Sequence, residues 1–145
     1  MEDTKQLTLY VSLLRALYLL HQNNHWVSKG ENFYENHLLF QRLYESAQEN
    51  ADLAAEKMVG LFGEEVLDIK LQMKIINSLI NILNDSNLLE TSLKLELAFI
   101  KFSEKMYKSL KESDKMSLGL DDMIMSISSK REEAVYLLKQ SLDNV

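Results

Sequence analysis

Residues 25–63 read HWVSKGENFYENHLLFQRLYESAQENADLAAEKMVGLFG. From Phe33 onward an apolar residue returns every three or four positions, the period of one face of an α-helix. On a helical wheel of about 100° per residue, Phe40, Leu43, Tyr44, Ala47, Ala51, Ala54, Met58 and Leu61 gather on one face, the expected core of a bundle. The small side chains of Ala47, Ala51 and Ala54 predict close approach of a neighbouring helix. A second stripe, His37, Gln41, Glu45, Gln48, Asp52 and Glu56, lies roughly 120° from the first and flanks the core. Asn32 stands three residues before Glu35, a capping-box pattern. The helix is therefore expected from Phe33 to about Val59, with its stop near Gly60 and Gly63.

The same periodicity extends in both directions. Lys5 to about Val27 carries Leu7, Tyr10, Leu13, Leu14, Leu17 and Leu20 on one face, and Leu9, Val11, Ala16 and Leu19 on another. A helix apolar on two sides predicts contacts beyond its own bundle, and self-association is the simplest source of them. Leu67 to Leu83 is mostly apolar and reads as a crossover with one or two helical pieces. Asn87 followed by Glu90 is a second capping box, opening a long helix to about Leu110. A last helix starts near Gly119 or Leu120 and runs to about Leu142. Four long helices with one long second-to-third connection make an all-α four-helix bundle of the crossover kind, a single domain over residues 1–145.

Composition narrows the function. The chain of 145 residues has no proline and only four glycines, so long helices meet no obstacle. It has no cysteine, which excludes thiolate metal sites, disulfides and cysteine nucleophiles, and fits a reducing compartment; the cytoplasm is the expected location. A formal charge of -6 disfavours a general nucleic-acid or anionic-membrane surface. Met1-Glu2-Asp3-Thr4 does not read as a signal peptide, and no apolar run approaches the roughly 20 residues that span a bilayer. Nothing resembles a glycine-rich phosphate loop. The seven methionines are scattered as core filler.

All three histidines, His21, His25 and His37, fall in the first quarter of the chain. At 1.5 Å per residue, His37 and Asp52 stand about 22 Å apart on one straight helix, and His37 and Glu56 about 28 Å. A metal ion needs its ligands about 2 Å away, so these residues of one chain cannot share an ion. Two copies of the helix packed antiparallel about a two-fold axis remove the obstacle. His25 and His37 of one subunit then face Asp52 and Glu56 of the other, two sites per dimer. Imidazole with carboxylate and no sulfur suits iron, with zinc or another divalent ion possible in its place. Bundles that hold two irons inside one subunit use a repeated Glu-x-x-His. No histidine here has a glutamate three residues before it, and inward glutamates on the last two long helices are not obvious. A site inside the bundle is therefore not expected. His21, one turn before His25, reads as a surface or interface histidine, with hydrogen-bonded support of the metal site as the alternative.

At His25-Trp26, Gly30, Phe33, His37, Phe40, Tyr44, Asp52 and Ala55-Glu56 the sequence resembles the Dps family, mini-ferritins that assemble as hollow dodecamers. The spacing His-x(11)-His-x(14)-Asp-x(3)-Glu, with the His-Trp pair, is the specific part of the likeness, and Gly119-Leu120-Asp121-Asp122 adds to it. The resemblance implies a ferritin-like fold and a ferroxidase centre at the two-fold interface, formed by His25 and His37 with the partner's Asp52 and Glu56. It implies oxidation of Fe(II) by hydrogen peroxide, or more slowly by dioxygen, with storage of ferric mineral and protection against oxidative damage. It puts Trp26 beside the iron, compatible with the interface anchor its size suggests, and makes Asp121 and Asp122 the lining of a cation pore. It also makes Glu45 and Glu49 candidates for an interior nucleation surface. Where the family usually has an aspartate, this chain has Gln41, a weaker ligand without charge. Neither end carries the lysine-rich tail with which some members bind DNA. Twelve copies of a -6 chain would carry about seventy-two negative charges, so DNA binding is not expected.

Three functions follow from the sequence: a catalytic mini-ferritin, a shell whose iron site is degraded, and a bundle binding a non-redox metal. The intact His25, His37, Asp52 and Glu56 favour the first; Gln41 supports the other two.

Overall fold

The computed structural model describes residues 2–84 and 87–142. Five α-helices follow one another: α1 (Glu2–Val27), α2 (Phe33–Phe62), α3 (Ile69–Asn81), α4 (Leu88–Glu112) and α5 (Leu118–Leu142). A 3-10 turn, Glu64–Leu67, leads from α2 into α3. Helices α1, α2, α4 and α5 form the bundle, and the crossover helix α3 lies against α1. The architecture is the ferritin-like four-helix bundle, with its short helix in the long second-to-third connection.

The core draws from every bundle helix. Tyr10, Leu14 and Leu17 of α1, Ala47, Ala54 and Met58 of α2, Phe99 and Met106 of α4, and Leu120 and Ile127 of α5 are fully buried. A smaller cluster, Phe40 and Leu43 against Ala134 and Leu138, continues toward the other end. Each large side chain removed from water contributes about 1.5–3 kcal/mol, so this face, more than intrinsic propensity, holds the long helices in place.

Three sequence expectations change. The second apolar stripe of α1 is largely used within the chain: Val11 and Ala16 are buried, and Leu19 is exposed. Thr8 Oγ1 donates to Val66 O at 2.8 Å, and Arg15 Nη1 to Gln72 Oε1 at 2.7 Å, tying the crossover onto α1. Leu61, assigned to the core face, is exposed because α2 runs on past Gly60, beyond the last core side chain, Met58. The stop comes at Gly63, whose φ of 96° suits glycine and whose N–H reaches Val59 O at 2.9 Å. Asn32 makes no side-chain capping bond; its φ and ψ of -104° and 29° are not the extended geometry of a cap. Asn87 is extended, and its Oδ1 accepts from Glu90 N at 3.1 Å, as the capping box requires. Two caps went unread in the sequence: Asp68 Oδ1, accepting from Lys70 N and Leu71 N, and Ser117 Oγ, accepting from Leu120 N.

Candidate metal centre

His25 closes the last turn of α1, and His37 lies in the second turn of α2. The connection between them turns back through Gly30, at φ 97°, a conformation open to glycine. The hairpin stacks the two imidazoles with centroids 3.8 Å apart and planes 16° apart. His25 Nδ1 lies 2.7 Å from His37 O, and His37 Nδ1 lies 2.8 Å from His25 O. A carbonyl oxygen can only accept, so each Nδ1 carries the proton and donates it. In the neutral rings the lone pair is therefore on Nε2, the nitrogen free to bind a metal. Phe33 stacks on His37 at 4.9 Å, and Tyr44 meets the edge of His25 at 5.3 Å, so neither ring can rotate freely. His25 is buried and His37 half-buried.

The carboxylates do not join this pair within the chain. Asp52 and Glu56 are exposed further along α2, and Asp52 borders a groove shared with Tyr18 of α1 and Ile69 of α3. Among the described residues no three histidine, aspartate or glutamate side chains stand close enough to hold a metal. Gln41 is half-buried on the same stripe, its Nε2 3.5 Å from Glu45 Oε2, the outer limit of a hydrogen bond. Trp26 and Tyr34 lie beside the histidines in sequence and are each 66% exposed, so large aromatic surface stands open next to the pair.

His21 is neither a surface histidine nor a neighbour of the imidazole pair's nitrogens. It is fully buried in the bundle, with Nδ1 3.0 Å from Ser92 Oγ and Nε2 2.8 Å from Glu96 Oε2. Arg131, equally buried, places Nη1 3.5 Å from the same Glu96 oxygen and donates from Nη2 to Ser46 Oγ at 2.9 Å. Ser92 Oγ also accepts from Asn24 Nδ2 at 2.9 Å. Sequence reading missed this network and found no inward glutamate. The available signal was Glu96 lying in step with Ser92, Phe99 and Ser103 on the inner face of α4. In the first turn of α5, Asp121 is half-buried and accepts from Tyr107 Oη at 3.1 Å, whereas Asp122 is exposed.

No protein-family model matches the chain. Its sequence is 25% identical over 126 residues to DNA protection during starvation protein 2 of Bacillus anthracis, across 83% of each protein. Its fold is similar to Dps from Thermosynechococcus elongatus, with a TM-score of 0.82 at 18% identity over 99% of this chain and 92% of that one. An archaeal Dps homologue from Halobacterium salinarum gives 0.81 at 16% identity, covering 99% and 81%. Dps from Microbacterium arborescens in its high iron form gives 0.78 at 19% identity, covering 97% and 91%. A sequence match over most of both chains, joined to the same helix order and crossover, makes this chain similar to Dps proteins in sequence and ferritin-like in fold.

Proposed function

We propose that the protein is a mini-ferritin that binds Fe(II) between subunits, oxidises it, preferably with hydrogen peroxide, and keeps the ferric product as mineral inside a hollow dodecamer. The observation that carries this reading is the reciprocal Nδ1–carbonyl exchange of His25 and His37, which presents two locked Nε2 lone pairs. Stripe geometry supports the rest. When two α2 helices pack antiparallel, the partner's Asp52 and Glu56, one turn apart, come opposite His37. Carboxylates favour Fe(III) over Fe(II), so the site stabilises the product of oxidation. Peroxide accepts one electron from each of two Fe(II) and, with two protons, becomes two waters. Asp121 and Asp122 line the cation entry, and Trp26 packs beside the iron at the interface. The setting is cytoplasmic. Among the described residues no helix is long and apolar enough to cross a membrane. With a charge of -6 per chain, DNA is not retarded at physiological salt without bridging divalent ions.

Gln41 favours a second reading, a Dps-type shell retuned to zinc or another non-redox ion. The neutral amide that replaces a carboxylate is aimed at Glu45 and holds no charge for a second cation. Anaerobic Fe(II) loading of metal-stripped protein, followed by peroxide, separates the two. Ferric absorbance near 300–350 nm rising well above the protein-free control, with soluble iron in a particle of about 200 kDa, supports the first. Assembly without that rise supports the second. In the first reading, alanine at Asp52 and Glu56 together abolishes rapid oxidation while far-UV circular dichroism stays helical. Undiminished initial rates would remove those residues from the site.

A further inference from the structure

A run of aromatic rings in contact leads away from the imidazole pair. His25 meets Tyr44 edge-on with centroids 5.3 Å apart, and Tyr44 in turn meets Tyr18 at 6.0 Å. Both phenols are half-buried, and Gln22 Nε2 donates to Tyr18 Oη at 3.3 Å, which leaves the Tyr18 proton free to depart. The run ends at the groove between α1, α2 and α3, where Tyr18 and Asp52 both belong to the lining. In the two-fold arrangement proposed above, His25 belongs to one centre of a dimer and Asp52 of the same chain to the other. The rings therefore lead from one centre toward its twin. His37 and Asp52 stand about 22 Å apart along α2, a span that one electron crosses slowly in a single step and that the ring contacts divide into short ones. Peroxide needs two electrons and one Fe(II) gives one. Gln41, a neutral amide aimed at Glu45, holds no charge for a second ion in the same centre.

We propose that Tyr44 and Tyr18 form a one-electron relay between the two centres of a dimer, so that one Fe(II) at each centre serves one peroxide. The relay rests on the inter-subunit centre proposed above. At the first centre Fe(II) becomes Fe(III) and gives peroxide one electron. Tyr44 gives the second through the His25 ring, releasing its phenolic proton and becoming a neutral phenoxyl radical. The O–O bond breaks, and with two protons two waters form. Tyr18 then returns an electron and a proton to Tyr44. Fe(II) at the twin centre reduces the Tyr18 radical, which takes its proton from water. The sum is two Fe(II), one peroxide and two protons giving two Fe(III) and two waters.

The metal-stripped assembly is loaded anaerobically with Fe(II) alone, at about one ion per twelve chains or about one per chain, then mixed with peroxide, frozen rapidly and read by electron paramagnetic resonance. At the low loading a tyrosyl signal is expected to approach one spin per Fe(III) formed, because no second Fe(II) refills the relay. At the high loading it is expected to fall away. Tyr44→Phe, which keeps the ring and removes the hydroxyl, is expected to abolish the tyrosyl signal at both loadings. Tyr18→Phe is expected to preserve it at the high loading, because the route from the twin centre is cut. Fe(III) formed at low loading without a tyrosyl signal overturns the relay and leaves iron oxidation standing. So does a signal equal at both loadings, or one that survives Tyr44→Phe. The loading comparison uses the unaltered chain, so it decides even where a variant fails to fold. No Fe(III) above the protein-free control overturns the function proposed above, and the relay with it.

Discussion

His25 and His37 owe their chemistry to each other. Each donates Nδ1–H to the other's backbone carbonyl, so the hairpin that joins α1 to α2 also sets both tautomers. Tyr10 is the contrasting case, a phenol buried against Phe99 whose hydroxyl finds no hydrogen-bond partner. Burial raises its pKa well above the ordinary phenol range, and the charge of Arg131 opposes this only in part. The unfolded chain loses that proton first, near pH 10, so stability present below about pH 10 is lost as pH rises above it. Tyr10→Phe is expected to be neutral or stabilising by about 1 kcal/mol at pH 7 and to flatten the alkaline decline. Urea titrations at pH 7 and pH 10.5 check both; a clear loss at pH 7 would mean that the hydroxyl is satisfied. The histidine pair was legible in the sequence because its spacing lies within one hairpin. The contact of Glu96 with Arg131 was not, because it joins residues on different helices and no local period encodes it.

Among the elements, the helix ends give the sharpest tests. Asn87 caps α4 through its side chain and Asn32 does not cap α2. Asn87→Ala is therefore expected to cost about 1 kcal/mol in chemical denaturation, and Asn32→Ala a few tenths at most. Gly60 lies inside α2 with nothing within 4 Å of where a Cβ would stand. Gly60→Ala should stabilise by about 0.5–1 kcal/mol. Gly63 sits at φ 96°, with Glu65 Oε1 3.0 Å from a built Cβ, so Gly63→Ala should cost about 1–2 kcal/mol. The same chemical denaturation compares the pair, and equal effects would count against the assigned stop. Helix number, order and the crossover were all legible from 3.6-residue periodicity. The misjudged points, Gly60 as a stop, Asn32 as a cap and Leu61 as core, are ends of elements. There backbone geometry decides, and a residue type alone does not carry it.

At the scale of the whole molecule, the proposed metal centre needs two chains. The imidazoles lie together at one end of the stripe on α2, and Asp52 and Glu56 lie toward its other end, about 22 Å and 28 Å along the helix from His37. The length of the helix forbids closing that gap within a subunit, which is the ground for assigning the carboxylates to a partner in the function proposed above. The exposed Trp26, Tyr34, Leu38 and Leu53 border the same stripe and are the apolar surface that an assembly would cover. The direct test is complementation. One chain carries His25→Ala and His37→Ala, the other Asp52→Ala and Glu56→Ala. Each alone should be inactive in peroxide-driven Fe(II) oxidation. Unfolded, mixed in equal amounts and reassembled, they should regain about a quarter of the unaltered rate, because half the dimers are mixed and each of those holds one intact site. Mixed dimers present by native mass spectrometry with no activity above the parents would contradict a centre shared between subunits.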